Sequence, residues 1–168
     1  MPTPIGHALA GFAVAGVSGR ATPVRRSHLG ILIFCAAAPD LDLALRFVDG
    51  VNHHRGALHS FAAALLAGLM GLGLRRTGVD LPSAFAISAA WASHVVLDYF
   101  GLDTSHPIGV MALWPFSPEF FASSTPVFYD VPRSFSLEAM KHNALAVSLE
   151  IVILGPVAWL CWRRSVRS

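Results

Sequence analysis

A histidine and an aspartate lie four positions apart near the end of one of the most apolar stretches of the chain, in the sequence SHVVLD (residues 93–98). On a helix this spacing places His94 and Asp98 on one face, one turn apart. Imidazole nitrogen and carboxylate oxygen are ligands that zinc, manganese and iron accept. Because a single pair of this kind is more often a local hydrogen-bonded pair, it indicates a metal site only together with further ligands.

Two more polar motifs accompany apolar segments, PDLD at residues 39–42 and HHRGALHS at residues 53–60. Taken alone, PDLD is also typical of a helix start, and the paired histidines of the second motif are typical of a solvated loop. Together the three motifs offer the roughly three protein ligands that a catalytic zinc ion uses beside its water. The candidate metal ligands are His7, Asp40, Asp42, His59, His94 and Asp98.

A divalent ion, with zinc as the first expectation, would lower the pKa of a bound water from about 15.7 towards about 7 and would polarise a phosphoryl or acyl oxygen. One carboxylate of PDLD, Asp40 or Asp42, is expected to be a ligand and the other a general base or bridging ligand, with Asp40 as the candidate catalytic group. His54 is a candidate second ligand or acid. Arg55 is a candidate for stabilising negative charge on a phosphate, or else for contacting lipid headgroups.

The elements that must hold these residues are apolar. Of the 168 residues, 54% are hydrophobic and 13% are charged, against about 25% charged in an average soluble domain. Four segments approach the roughly 18 to 20 apolar residues that cross a bilayer, and they cover residues 5–19, 57–74, 81–101 and 144–162. A fifth, 28–48, is interrupted by Asp40 and Asp42. We therefore predict an all-α fold, a polytopic membrane bundle of about five helices forming one domain over residues 1–168; the alternative is a soluble all-α protein with unusually buried helices.

Arginine clusters follow alternate apolar segments, which orients the predicted bundle because basic loops stay on the cytoplasmic side. The clusters are Arg20, Arg25 and Arg26, then Arg75 and Arg76, then Arg163, Arg164 and Arg167. This pattern predicts five crossings, with the N-terminus outside and the C-terminus in the cytoplasm. All three polar motifs then lie on the extracytoplasmic side, where ionisable groups at membrane depth are expected to pair, bind an ion or line a cavity.

The longest polar stretch, residues 102–141, contains five prolines and lies on the same predicted side as the motifs. A proline-rich loop of this length is typical of a lid or of a wall along a substrate path. Its aromatic residues also suit a belt at the membrane interface, and they include Trp114, Phe116, Phe120 and Phe121. Asp103 and His106 in this loop are further possible ligands.

The ordered motifs also carry a family resemblance. PTPIGHALAG, PDLD, HRGALHS, SHVVLD and WPFS follow one another over residues 2–118. In this order the chain resembles the YdjM-like family of bacterial inner-membrane proteins, which are described as metal-dependent hydrolases. The resemblance implies a location in the inner membrane. It also implies roles at the family's polar positions, which are His7, Asp40, Asp42, His54, His59, His94 and Asp98.

A more distant resemblance suggests the bond that is cleaved. The order Asp, His, HxxxD is similar to the first zinc site of the zinc-dependent phospholipase C and single-strand nuclease group, all-α enzymes that cleave phosphodiesters. The later HxxxE ligand pair of that group is not reproduced, because His142 is followed four residues on by Ala146. The number of ions is therefore left open between one and two, with His7 as the candidate ligand of a second ion.

The expected function is that of a membrane-bound metal-dependent hydrolase acting on a phosphoester or other ester of a lipid or envelope substrate. The alternative is a metal or proton transporter, or a metal-sensing membrane protein, that uses the same ligands without hydrolysis. A transporter would need polar residues that continue to the cytoplasmic face. The apolar segments offer almost none in their inner halves, with Glu150 as the exception. Nucleic-acid binding is not expected, because the net charge is only +2 and the arginines are explained by orientation.

Overall fold

The computed structural model describes residues 1–18, 26–73 and 80–165. These residues form six α-helices, whose bounds are α1 Pro4–Ser18, α2 Arg26–Ala37, α3 Asp42–Asp49, α4 Phe61–Gly73, α5 Leu81–Tyr99 and α6 Leu137–Ser165. Two 3-10 turns, Ala38–Leu41 and Ala57–His59, precede α3 and α4. Within these described ranges there is no β-strand, only two isolated bridges. The all-α prediction is confirmed.

Each of the four long apolar segments contains one helix, whereas the fifth segment is split. Helix α2 gives way to the 3-10 turn Ala38–Leu41, because the ring of Pro39 cannot continue an α-helix. Helix α3 then begins at Asp42 and ends before Gly50, whose φ of 75° is a left-handed conformation that favours glycine. The break leaves Asp40 and Asp42 at a short corner instead of inside a continuous helix.

Among the described residues, α6 is the one helix that is both long and apolar enough to cross a membrane, over Leu137–Arg163. Helices α1 and α4 are apolar but have only 15 and 13 residues. Length and composition thus support one span, and the five-span bundle stays a prediction. Most of the arginines behind the predicted orientation lie outside the described residues, namely Arg20, Arg25, Arg75, Arg76 and Arg167.

Glycines let the helices approach one another closely. Helix α1 packs against α2, α5 and α6, while α4 packs against α5. A Cβ added at Gly11 of α1 would lie 2.8 Å from the Leu32 carbonyl oxygen of α2, and one at Gly16 would lie 2.6 Å from the Trp162 nitrogen of α6. Helix α1 is thereby fixed against its neighbours through backbone contacts that a larger residue would prevent.

Large apolar side chains face outward, whereas the buried interior is rich in alanine. Ala36 and Ala90, for example, are completely buried. The exposed apolar side chains on α4, α5 and α6 include Leu65, Leu69, Met70, Phe85, Val152 and Trp159. In a soluble protein, large apolar side chains would preferentially be buried. Small residues between helices and large apolar residues outside are typical of helices that face lipid.

Residues 100–136 form one long connection between α5 and α6, which folds back onto the end of the bundle. Val110 and Phe128 are buried within it. The backbones of Val110 and Phe121 exchange two hydrogen bonds of 2.9 Å, and the Leu102 N–H donates to the Phe128 carbonyl at 2.8 Å. The connection therefore has its own packed core instead of trailing as a free loop.

Side-chain caps mark where the two long helices begin. The Asp80 carboxylate accepts the Ser83 N–H at 2.9 Å before α5. The Ser136 hydroxyl likewise accepts the Ala139 N–H at 3.1 Å before α6. Because of this second cap, α6 begins at Leu137 instead of near the predicted residue 144, and the polar connection is shorter than the predicted 102–141.

Candidate metal centre

Five polar side chains from four parts of the fold converge at the end of the bundle that the α5–α6 connection covers. Helix α5 contributes His94 and Asp98 from successive turns. The 3-10 turns before α3 and α4 contribute Asp40 and His59, and the first turn of α1 adds His7. The Asp40 side chain is 25% exposed, whereas the other four residues are at most 2% exposed. The three motifs singled out in the sequence are thus brought together.

Four ligand atoms in this cluster face one another at coordination-like distances: Asp40 Oδ1, His59 Nε2, His94 Nε2 and Asp98 Oδ2. From the His59 nitrogen the two oxygens lie at 3.6 and 3.5 Å, and from the His94 nitrogen they lie at 3.6 and 3.2 Å. Tetrahedral ligands at about 2.0–2.1 Å from zinc are about 3.3–3.4 Å apart, since a tetrahedron's edge is about 1.6 times its centre-to-corner distance. The four nitrogen–oxygen distances therefore fall close to those expected between ligands of one ion.

Three of these four atoms lack hydrogen-bond partners among the described residues, the exception being Asp40 Oδ1. His59 Nε2, His94 Nε2 and both carboxylate oxygens of Asp98 are buried without a hydrogen bond of good geometry. Leaving a buried polar atom unpaired costs about 1–3 kcal/mol. His59 Nε2 and His94 Nε2 lie 3.5 and 3.2 Å from Asp98 Oδ2, so one cation bound there would satisfy these three atoms, whereas Asp98 Oδ1 faces His7.

Neighbouring acceptors orient the ligating rings. The Nδ1–H of His94 donates to the Ala36 carbonyl at 2.8 Å, which leaves Nε2 as the nitrogen that faces the centre. Asp42 lies on the outer side of the other rings, with Oδ2 3.1 Å from His59 Nδ1 and Oδ1 2.9 Å from His54 Nδ1. Asp40 is therefore the PDLD carboxylate that joins the central set, and Asp42 stands behind two histidines.

The electrostatics of His59 reflect this crowding of carboxylates. Burial alone would lower the pKa of His59, but the adjacent Asp40 and Asp42 carboxylates and the charge of Asp98 outweigh burial and raise its pKa to about 9. Opposite charges a few ångströms away favour the charged form of a titratable group. The centre thus attracts positive charge, which a proton on His59 or a bound cation can supply.

His7 lies directly beside the central set. Its ring stacks on His94 with centroids 3.7 Å apart, and its Nε2 lies 3.4 Å from Asp98 Oδ1. Two groups have ligand atoms within 4.8 Å of one another, and they are His7, His94, Asp98 and Asp40, His54, His59. Because the two carboxylate oxygens of Asp98 face different histidines, Asp98 has the geometry of a bridging ligand. The expectation of one or two ions therefore stays a prediction.

A cavity of about 460 Å³ opens beside the centre. Asp40, His54 and Arg55 lie in its wall on the centre's side. The rest of its lining comes from Leu43, residues 1–4, residues 102–105, and Asp130, Val131 and Arg133. Since Asp40 is the partly exposed member of the ligand set, a molecule in this cavity meets the centre at that carboxylate.

Arg55 is committed to the wall of the cavity. Its φ is 70°, and its guanidinium donates to the Asp103 carboxylate, to the Ser105 carbonyl at 2.7 Å and to the Pro107 carbonyl at 2.5 Å. The Asp103 carboxylate also accepts the Gly109 N–H at 2.8 Å. The predicted role of Arg55 in stabilising substrate charge stays untested, but these contacts assign the guanidinium to holding residues 103–109.

The remaining predicted residues fall into two groups. His54 lies between Asp42 and the cavity, next to the ligand set. Asp103 pairs with Arg55, and His106 is exposed in the same loop, so neither joins the groups of possible ligands in the described residues. Sequence reasoning did not foresee the Arg55–Asp103 pair, because 48 positions separate the two residues.

We predict that Arg55→Ala destabilises the protein strongly. The Asp103 side chain is only 4% exposed, and removing one partner of a buried ion pair costs about 3–5 kcal/mol. Arg55→Lys keeps the charge but loses the fork of donors, so its loss should be smaller. Unfolding in detergent and proteolysis within residues 100–136 would measure both effects. The matched control is Arg133→Ala, since Arg133 is exposed; equal stability of the Arg55→Ala and Arg133→Ala proteins would contradict the prediction.

The family comparison agrees with the motifs that form the centre. The model of the YdjM inner membrane protein family matches residues 1–166 of the 168-residue chain. No curated protein and no solved structure matches the chain. The match spans every helix described above and all of the motifs on which the resemblance rested. The chain belongs to the YdjM inner membrane protein family.

Proposed function

We propose that this inner membrane protein is a metal-dependent hydrolase that cleaves a phosphoester or other ester of a lipid or envelope substrate. The observation that carries the proposal is the convergence of four possible ligand atoms, with nitrogen–oxygen distances of 3.2 to 3.6 Å, next to an open cavity. A purely structural cluster would satisfy its own hydrogen bonds, whereas this one leaves buried nitrogen and oxygen atoms unpaired.

In this proposal His59, His94 and Asp98 would hold a divalent ion and leave the position beside Asp40 for a water, zinc being the first expectation for a set of nitrogen and oxygen ligands. His7 would either bind a second ion or stay beside Asp98 Oδ1 without binding an ion itself. Asp42, predicted as a ligand, instead positions His59 and His54 through their Nδ1 atoms. Carboxylates behind ligating histidines fix the orientation and raise the basicity of the ring.

When bound, the ion would supply a water of lowered pKa and would polarise the oxygen of the scissile group. Asp40 reaches the cavity, so its carboxylate is placed to accept a proton from such a water. His54 lines the same cavity with Nδ1 beside Asp42. If the ring carries a proton on both nitrogens, its Nε2–H would protonate the leaving group and leave the neutral imidazole bound to Asp42. The α5–α6 connection, held by Arg55, limits access of bulk water from the other side of the cavity.

The membrane setting favours an amphipathic substrate. Large apolar side chains are exposed around α4, α5 and α6, which is consistent with a bundle that inserts further helices beside α6. Aromatic residues of the connection, Trp114 and Phe116, are exposed near the same end of the bundle. A substrate with an ester near the headgroup level would present its bond at the depth of the cavity.

A transporter that uses the same ligands has less support. In the described residues, the buried ionisable side chains are His7, Asp42, His54, Arg55, His59, His94, Asp98 and Glu150. All but Glu150 belong to the centre or its cavity, and Glu150 bonds to Thr3 beside it. The opposite half of the described bundle buries alanine, leucine and isoleucine, such as Ala15, Leu32 and Ile87. A path of polar groups towards that side is therefore not formed by these residues.

The test of the proposal is hydrolysis of a phosphoester presented in detergent micelles by purified protein. A chelator should abolish turnover, and adding back the divalent metal should restore it. A metal-sensing protein would bind the same ion and leave every ester intact.

The proposed orientation predicts the result of a topology experiment. A reporter fused after Ser168 should be active in the cytoplasm, and a reporter inserted after Ser124 in the α5–α6 connection should be active outside. The reason is the alternation of the arginine clusters. A cytoplasmic signal from the reporter at Ser124 would move the centre to the inner face and eliminate envelope substrates.

A further inference from the structure

Glu150 is a buried carboxylate that the proposed mechanism does not use. It lies within the apolar span of α6 and is 1% exposed. One oxygen accepts the Thr3 N–H at 2.6 Å and the other accepts the Thr3 hydroxyl at 2.5 Å. Because an acid at membrane depth is costly and persists mainly where it has a function, these two bonds require an explanation.

Thr3 links Glu150 to the start of α1. The Thr3 hydroxyl oxygen accepts the Ile5 and Gly6 N–H groups at 3.2 and 3.4 Å, so it caps α1 while donating its proton to Glu150. A carboxylate near the N-terminus of a helix is stabilised by the helix dipole. The carboxylate therefore completes the cap and ties the first turn of α1 to α6.

The fit between α1 and Glu150 is close. A Cβ added at Gly6 would lie 2.8 Å from Glu150 Oε2, so the first turn rests directly on the carboxylate. The next residue is His7, whose N–H donates to the Thr3 carbonyl at 3.2 Å. The His7 ring is the one that stacks on His94 and faces Asp98.

We infer that Glu150 is a positioning residue for His7: by fixing Thr3 and the first turn of α1, it sets the distance of the His7 ring from Asp98 and His94. Glu150 makes no contact with the ligand set itself among the described residues. The inference rests on the proposed metal site for its effect on a bound ion, but the positioning of the ring exists without the ion.

The decisive experiment loads purified protein with Co²⁺, whose absorption spectrum reports its ligands. His7→Ala defines the spectrum of a centre without this ring. Glu150→Ala should give a spectrum shifted towards that of His7→Ala and should weaken metal retention about 10- to 100-fold, the usual cost of losing a group that orients a ligand. Glu138→Ala, an exposed acid in the first turn of α6, should leave both unchanged.

Conservative variants separate positioning from folding. Glu150→Gln keeps an acceptor for the Thr3 N–H and a polar group for its hydroxyl, so it should restore most of the wild-type spectrum. Thr3→Val removes the hydroxyl alone and should act in the direction of Glu150→Ala, which tests the inference even where Glu150→Ala does not fold. A wild-type spectrum in both Glu150→Ala and Thr3→Val, together with an altered one in His7→Ala, would overturn it.

A second measurement distinguishes this inference from the proposed function. In metal-free protein, the NMR signal of the His7 ring, assigned by its loss in His7→Ala, should shift in Glu150→Ala and return in Glu150→Gln. If wild-type protein binds no Co²⁺, the proposed function fails while this signal still decides the role of Glu150. An unmoved His7 signal rejects the positioning role whatever the metal content.

Discussion

Replacing His94 with alanine should strip the purified protein of tightly bound divalent metal, whereas the wild type should hold one or two ions per chain. His94 supplies the Nε2 atom that lies 3.6 Å from Asp40 and 3.2 Å from Asp98. Asp98→Asn should weaken retention similarly while the protein still inserts into the membrane. We expect a loss of more than about 100-fold in affinity, since groups that only orient a ligand already contribute about 10- to 100-fold.

The chain contains a matched control for this pair. Asp49 and His53 also stand four positions apart, with Oδ2 and Nε2 2.5 Å from each other, but both are exposed and neither belongs to the groups of possible ligands. His53→Ala and Asp49→Asn should therefore leave the metal content unchanged. Elemental analysis and competition with a chromophoric chelator would measure all four variants. Unchanged metal content in both His94→Ala and Asp98→Asn would remove the α5 pair from the site.

The centre was largely predictable because its ligands come from short-range patterns. The i, i+4 spacing of His94 and Asp98 fixes their common face on any helix, and α5 is a helix over both. Motifs that lay on one predicted face of an apolar bundle had to meet if the bundle formed. The roles within PDLD were not predictable, since Asp40 and Asp42 are two residues apart and the 3-10 turn at Pro39 decides which faces the centre.

Contacts between distant residues explain most of what the sequence did not reveal. Arg55 has the chemistry of a phosphate ligand, but its Nη1 donates to Asp103, which lies 48 positions away. Glu150 is one acid in an apolar segment, and its partner Thr3 is 147 positions away. Nothing in local spacing indicates either pair. Helix α6 begins before its apolar segment because Ser136 caps its first turn, and a hydropathy profile does not show such a cap.

Hydropathy predicted five membrane-spanning helices, and the length and composition of the described helices support one of them. Helix α6 satisfies the length criterion, but α1 and α4 have only 15 and 13 residues. Segments of such length fit a bilayer only if flanking groups reach the interface or the bilayer thins. Bilayer spans by α1 and α4 therefore stay a prediction.

The second large effect concerns catalysis and separates the two PDLD carboxylates. Hydrolysis of a micellar phosphoester should rise with pH as the water at the ion deprotonates, and a chelator should stop it. Asp40→Asn should lower the rate by about 10²- to 10⁴-fold even at saturating metal, because it removes the carboxylate that reaches the cavity and takes the proton. Asp42→Asn should mainly weaken metal affinity, by about 10- to 100-fold, since Asp42 stands behind His59 and His54.

Metal titration therefore distinguishes the roles. Excess metal should restore much of the turnover of Asp42→Asn but not that of Asp40→Asn, with Asp49→Asn setting the wild-type level. The opposite pattern, recovery of Asp40→Asn alone, would exchange the assignments of base and positioning group. If no ester or phosphoester is hydrolysed above the metal-free background, while the ion binds tightly and enters proteoliposomes that contain the protein, the same ligands serve transport. The unpaired nitrogen and oxygen atoms at the centre would then form a cation-binding site on a transport path instead of an active site.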